Sequence, residues 1–390
     1  MKVLCLGAGG MGALAAEVMS GYKEIDRMTI ADLHLEAAQK VAAQCRGKAS
    51  ACSINVDDKD ALTALMKWHD AVANCVGPFF RFGVPILSCA IAARVNYFDI
   101  CDDPEPTLAM LEMGKQAEAA GITAVVGLGA TPGITSMLAA KVHRMLARMT
   151  ELHAAWNIEE KGDDEPNVLE YSAATVHWMK QSSGRILECR GGKLTQVKPL
   201  QPVELRYPGR GTRKVWTVGH PEPVAFSWSY PEIQISSCYM VMPTLTAGIF
   251  RELSDKIDRG LLTLEQAGHQ LVDKSRDPSL IERLESAFYQ LLDRPRLPFL
   301  FVIGKGELQG RKATIAAAIK SFPPGMARIT GIPLAIGVHQ FAQNKIARKG
   351  AASPETALDA DAFFAELAPY CTYPVAAPPD GILEIVQEFD

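Results

Sequence analysis

Short apolar runs alternate with amphipathic stretches along the first third of the chain. The runs Lys2–Gly7, Arg27–Asp32, Ser50–Val56, Asp70–Val76, Asn96–Ile100 and Ile122–Gly127 are compact and lack a two-residue polar alternation. That is the pattern of strands covered on both faces, as in a parallel sheet. Between them the apolar positions recur at helical spacing. Leu35, Ala38, Ala42 and Cys45 share a face, as do Ala61, Leu62, Leu65 and Met66. Gly83–Arg94 is apolar almost throughout, and Pro104–Ala120 sets Leu108, Leu111 and Ala117 among charges. Repeated β-α units with right-handed crossovers predict an α/β fold, with a doubly wound parallel sheet of the Rossmann type over residues 1–130.

The pattern changes after Gly127. Thr131 is expected to cap a helix starting near Pro132, with Ile134, Met137, Leu138 and Val142 as its buried face. From Thr150 onward the strand signals come in hairpins. Ile186–Val197 turns at Gly191-Gly192, and Phe299–Ile319 turns near Gln309-Gly310. Helices are expected over Leu245–Leu262, Leu264–Leu292, Leu334–Ala347 and Asp359–Leu367, while the tail around Pro374, Pro378 and Pro379 carries few structural signals. Residues 131–330 therefore read as a second, α+β domain with an antiparallel sheet. Two domains suit 390 residues, since single cores seldom grow past about 250 residues.

Composition changes this picture little. The net charge is −4, which gives no electrostatic reason to expect nucleic acid or an anionic membrane as partner. Arg210, Arg213 and Lys214 form only a small basic group, read as a solvated loop. The nine cysteines include no C-x-x-C, and their odd number suggests a reducing compartment. No apolar run approaches the ~18–20 residues of a membrane span, so the cytoplasm is the expected location. No closely spaced His or Cys ligands occur, and no metal is expected. A G-x-S-x-G elbow, a Walker A lysine and, in the first domain, a Tyr-x-x-x-Lys pair are likewise not found.

Candidate chemistry begins at the first turn. Gly7-Ala8-Gly9-Gly10-Met11-Gly12 is a G-x-G-x-x-G. Alone the motif is weak, but a strand precedes it, an Ala-rich helix follows, and a second strand ends on an acid, Asp32. Gly7 permits the tight turn, Gly9 lets backbone approach a diphosphate, and Gly12 lets helix and strand pack closely. The free N–H groups of the helix start then face the phosphate charge. The competing reading is a plain βα turn with Asp32 as a helix cap, and the combined context opposes it. Asp32 suits two ribose hydroxyls and would repel a 2′-phosphate, so NAD is preferred over NADP. Leu33 follows it. Val56 and Asp57 after the third strand, and Asn74-Cys75-Val76-Gly77-Pro78 after the fourth, are expected to line the rest of the cofactor crevice.

These segments, with Asn96-Tyr97-Phe98-Asp99-Ile100, Gly129-Ala130-Thr131-Pro132-Gly133-Ile134-Thr135 and Thr330-Gly331-Ile332-Pro333, resemble the saccharopine dehydrogenase-like family. That family includes saccharopine reductases, lysine 6-dehydrogenases and carboxynorspermidine dehydrogenases. The resemblance spans most of the chain and is strongest in the first ~140 residues. It implies that helices of 331–390 complete the Rossmann domain, and that the middle domain serves substrate binding and contact in a homodimer. It also implies hydride transfer at a C–N centre of an amino acid, imine or related amine. Saccharopine reductases tend to carry an acid where Thr131 stands here. Saccharopine itself is therefore less expected than a substrate of the lysine 6-dehydrogenase kind.

Oxidation of an amine requires its nitrogen to be neutral, hence a proton acceptor. Asp99 is expected to point into the crevice, with Asp102 and Asp103 beside it. Asp103 is also read as the cap of a helix starting at Pro104. His220, in a loop matching a histidine-containing segment of saccharopine reductases, is the third catalytic candidate. Expected substrate contacts are Phe79, Tyr97, Cys101, Thr131, Gly133 and His177. A non-catalytic protein that senses NAD(H) on the same fold is the alternative. The large second domain and the acid-lined crevice argue against it.

Overall fold

The computed structural model describes residues 1–158, 171, 173–276, 296–372 and 380–389. Its strands in chain order are β1 (Lys2–Leu6), β2 (Arg27–Asp32), β3 (Ala49–Ser53), β4 (Ala71–Asn74), β5 (Asn96–Asp99), β6 (Thr123–Val125), β7 (Arg148–Asn157), β8 (Ile186–Arg190), β9 (Lys193–Val197), β10 (Pro202–Tyr207), β11 (Gly211–Val218), β12 (Ile235–Ser236), β13 (Cys238–Val241), β14 (Leu300–Leu308), β15 (Arg311–Ile319), β16 (Gly350–Ala352) and β17 (Leu383–Phe389). The chain divides into two units. The first comprises Met1–Lys141 with Ser321–Leu383, the second Val142–Lys320 with Glu384–Asp390.

The first unit is a seven-stranded parallel sheet in the order β16-β6-β5-β4-β1-β2-β3. The order reverses between β1 and β4, which places a ligand crevice at the carboxyl ends of those two strands. All four residues of β4, and Val3 to Leu6 of β1, are buried, as central strands covered on both faces must be. β3 stops at Ser53, short of the expected Val56, because the Asn55 side chain accepts the Asp57 N–H at 3.0 Å and turns the chain.

Two helix starts differ from expectation. The helix after β6 begins at Ile134, not Pro132: the Gly129 N–H donates to the Pro132 carbonyl at 2.7 Å and closes a turn first. The returning helix runs Met326–Ala342, so Thr330-Gly331-Ile332-Pro333 lies inside it. The helix starts before the expected Leu334, since buried packing holds it through Pro333. Gly331 explains the packing. A Cβ there would sit 2.7 Å from the Met11 carbonyl oxygen, so only glycine lets this helix press against the helix Gly10–Ser20. Asp359 caps the helix Ala360–Leu367 by accepting the Ala362 N–H at 2.9 Å.

The second unit carries a ten-stranded sheet with the path β10-β11-β13-β7-β12-β8-β9, while β14 pairs with β7 and β15, and β15 with β17. Most pairs are antiparallel, but β7 runs parallel to β12 and β13. Both expected hairpins form, β8–β9 and β14–β15. One face packs Tyr207, Val215, Phe301, Ile303 and Ala316 into a core. The expected bounds of the first domain, 1–130 with 331–390, move to Met1–Lys141 with Ser321–Leu383. Glu384–Asp390 belong to the second unit, because β17 pairs with β15. The helices expected around 245–292 occur as Thr244–Asp258 and Leu264–Arg276, and the remainder to 292, like Pro374, Pro378 and Pro379, lies outside the described residues. Among the described residues no helix is long and apolar enough to cross a membrane.

Candidate dinucleotide site of the first unit

The turn from β1 into the helix Gly10–Ser20 is made by glycines with different tasks. Gly7 has φ +91°, a left-handed conformation that disfavours a side chain, and a Cβ there would approach the Cys75 backbone to 3.1 Å. A Cβ on Gly12 would lie 2.1 Å from the Gly7 carbonyl oxygen. Gly9 is the opposite case: nothing lies within 4 Å of an added Cβ, and Gly9 and Gly10 are exposed. Gly9 is also the helix N-cap and offers no side-chain acceptor to the first turn. The N–H groups of that turn therefore open toward solvent, in the arrangement that receives a phosphate.

Asp32 ends β2 beside this turn. Its Oδ2 accepts the Ala8 N–H at 2.7 Å and its Oδ1 accepts the His34 N–H at 2.9 Å. The carboxylate is thus fixed next to the glycine turn by backbone donors. Leu33, 60% exposed, lies open beside it. Val56 is half-buried and Asp57 exposed after β3. Asp57 pairs with Arg81 at 2.9 Å, and the Arg81 guanidinium also lies over the Phe82 ring. Arg81 was not singled out in the sequence, because a lone arginine in an apolar helix carries no motif.

After β4, Asn74 accepts the Val76 N–H at 3.0 Å through its side-chain oxygen, which shapes the loop Cys75-Val76-Gly77-Pro78. Gly77 and Pro78 are exposed, while Phe79 is buried. The Asn74 amide donates to the Tyr97 hydroxyl at 2.9 Å, and that hydroxyl donates to Asp99 Oδ2 at 2.8 Å. Asp99 Oδ1 accepts the N–H groups of Cys101 at 3.0 Å and Gly127 at 2.8 Å. Asp99 is 0% exposed. Burial pushes its carboxyl up to about 6, against the three hydrogen bonds that favour the ionised form, and the charge of Asp102 adds to the rise. Asp99, expected to point into the crevice, is wholly buried; it accepts from backbone after β5 and β6 and, through Tyr97, reaches Asn74 of β4. The alternation of side chains along β5 sends Tyr97 and Asp99 to one face, where both meet Asn74 from the neighbouring strand.

Other expected residues separate by burial. Cys101 and Gly133 are buried, whereas Asp102 and Thr131 are half-buried. Asp103 occupies the cap position of the helix Pro104–Glu112, but its side chain makes no cap bond. Its Oδ2 instead accepts the Phe80 N–H at 3.1 Å, which links the loops after β4 and β5. His177 and His220 belong to the second unit. His177 is half-buried and meets Gln181 at 3.1 Å, while His220 is 3% exposed and hydrogen-bonds Glu222.

Residues 3–125, which hold this turn and the strands around it, match the family described as the saccharopine dehydrogenase NADP binding domain. The match covers under half of this chain, and the matched residues are similar to that dinucleotide-binding domain. Carboxynorspermidine synthase of Vibrio alginolyticus is 25% identical over 253 residues, covering 57% of this chain and 58% of that protein. Saccharopine dehydrogenase [NADP(+), L-glutamate-forming] of Pyricularia oryzae is 30% identical over 156 residues, 40% of this chain and 31% of that protein. The chain thus spans well under two thirds of the curated relatives it matches. Among solved structures, the apo histidine-tagged saccharopine dehydrogenase (L-Glu forming) from Saccharomyces cerevisiae aligns over 100% of this chain and 99% of that one, with a TM-score of 0.62 and 18% identity. That likeness shows the fold.

Proposed function

We propose that the chain is an NAD-dependent oxidoreductase acting at a C–N centre of a small amine or amino acid. The observation that carries this reading is the open helix N-terminus at Gly9, flanked by the Asp32 carboxylate. A Cβ-free approach to backbone N–H groups fits a diphosphate, and the fixed acid fits a ribose. Gly9, Gly10 and Met11 would hold the diphosphate, Asp32 the adenosine ribose, and the loop Asn74–Pro78 the nicotinamide half. The dinucleotide supplies the hydride acceptor or donor.

The remaining work falls to the chain's own residues. Asp99 positions the loops after β4, β5 and β6 and does not contact substrate. Asp102, half-buried in the loop after β5, is the carboxylate assigned to a cationic nitrogen. The relatives' names, carboxynorspermidine synthase and an L-glutamate-forming saccharopine dehydrogenase, support an amine or amino acid as substrate. Asp32 supports NAD, whereas the matching family's description names NADP. A carboxylate held beside the ribose edge repels a 2′-phosphate, and this supports NAD here.

Titration with NADH and NADPH, followed by assay of both redox directions on a panel of amines, amino acids and oxo acids, tests the proposal. NADH should bind more tightly, and at least one amine should turn over. Absence of either dinucleotide's binding at millimolar concentration would end the reading. Binding without turnover on any member of the panel would favour a nucleotide sensor instead.

A further inference from the structure

The second unit holds a group of side chains that the dinucleotide reading does not use. His220 follows β11, Glu222 opens the helix Glu222–Ser229, and Cys238 opens β13. Cys238 pairs with Val218 across the β11–β13 ladder, which brings the loop after β11 back onto the start of β13. The three residues are 3%, 0% and 0% exposed. One ligand atom from each lies within 4.8 Å of the other two. His220 Nδ1 shares a short hydrogen bond with Glu222 Oε2, and the Cys238 thiol lies 3.8 Å from the same oxygen.

The scaffold around them is tight. The Gly219 N–H donates to the Gln181 carbonyl at 2.8 Å, and a Cβ on Gly219 would approach Ile186 to 2.6 Å. The His220 ring packs 4.8 Å from the Trp156 ring. The imidazole is therefore held before any ligand arrives, as a metal site requires.

Charge supplies a second, independent observation. Glu188 is 2% exposed, and while its Oε2 accepts from Arg190, its Oε1 is buried without a hydrogen-bond partner. Two buried carboxylates thus accompany one imidazole and one thiol. The His220–Glu222 hydrogen bond and the Cys238 thiol that donates to the same Glu222 oxygen leave Glu188 Oε1 without an answer. A dication answers it, and a thiol that binds one does so as a thiolate.

We propose that His220, Glu222 and Cys238 bind one divalent transition-metal ion of the zinc class, with Glu188 Oε1 as the nearby carboxylate that balances its charge. Mixed imidazole, carboxylate and thiolate donors suit zinc or cobalt over magnesium or calcium. Three protein ligands in a closed interior make the site structural or leave one position for water. Coordination takes the Cys238 sulfur as a thiolate, so its proton leaves to solvent on binding. The inference is independent of the dinucleotide proposal, since none of its residues lies in the first unit.

The test uses the full chain, stripped by chelator and reloaded with Zn²⁺ or Co²⁺. Elemental analysis should find one metal per chain, and Co²⁺ should give a thiolate-to-cobalt charge-transfer band. The nearly isosteric Cys238→Ser substitution should remove that band, and Glu222→Gln should weaken Zn²⁺ retention at least tenfold. A wild-type chain that retains no metal in low-micromolar free Zn²⁺ would overturn the proposal. So would a Co²⁺ spectrum without a thiolate band. Should the variants fail to fold, the wild-type cobalt spectrum alone decides.

Discussion

Asp99 in the first unit and Glu222 in the second are both wholly buried, yet their surroundings treat them in opposite ways. Asp99 is met by two backbone N–H groups and a tyrosine hydroxyl. Glu222 counts an imidazole and a thiol among its partners. Backbone donors carry no counter-charge but are fixed by the fold, so they make a carboxylate structural. Side-chain partners that titrate or ligate leave the carboxylate open to exchange with a cation. Burial of an acid therefore does not by itself mark chemistry; the identity of its partners does.

The sharpest way to break this comparison is Asp99→Ala. It leaves the N–H groups of Cys101 and Gly127 and the Tyr97 hydroxyl without their acceptor, at about 1–3 kcal/mol each. A loss of about 3–6 kcal/mol in unfolding free energy is expected by denaturant titration. A loss below about 1 kcal/mol would show that Asp99 is not the hub described.

Next in size is a pH effect. Asp99 has a raised pKa, so its protonated form is favoured by folding. Its contribution is full below the ordinary value near 4 and is lost as pH rises through about 6. About 3 kcal/mol should disappear across that window, and the Asp99→Asn protein should lack this component. Chemical denaturation at closely spaced pH values measures it.

Two smaller effects sharpen the comparison on the cofactor side. Gly9→Ala adds a methyl where the protein itself has room. Dinucleotide affinity should fall about tenfold or more, near 1.4 kcal/mol, with the melting temperature unchanged. Gly12→Ala, by contrast, should lower the melting temperature because its Cβ collides with the Gly7 carbonyl. Asp32→Asn keeps an acceptor for the Ala8 N–H but removes the charge. The ratio of NADH to NADPH affinity should shift toward NADPH by about tenfold, read by fluorescence titration.

Much of the first unit was legible in the residues. β2 there, like the hairpins β8–β9 and β14–β15 of the second unit, follows from local periodicity and turn residues. The glycine turn with Asp32 was legible for the same reason: its function is built from consecutive backbone. Helix boundaries near Pro132 and Pro333 were not, because in one a turn closes first and in the other packing overrides proline. Asp99 was seen as an acid at a strand end, but its depth was hidden, since depth depends on Asn74 and Gly127 from neighbouring strands. His220 was named from the sequence, but its neighbours Glu222 and Cys238 were not, because strand pairing alone brings Cys238 to the other two.

By itself, then, the sequence determined the alternation of strands and helices, the glycine-lined turn and the acid that attends it. These depend on side-chain period and on steric freedom within a few residues. Tertiary structure alone decided which acids lose water, what replaces that water, and which distant side chains become neighbours. Desolvation and register are properties of surfaces brought together from separate parts of the chain, and no local window contains them.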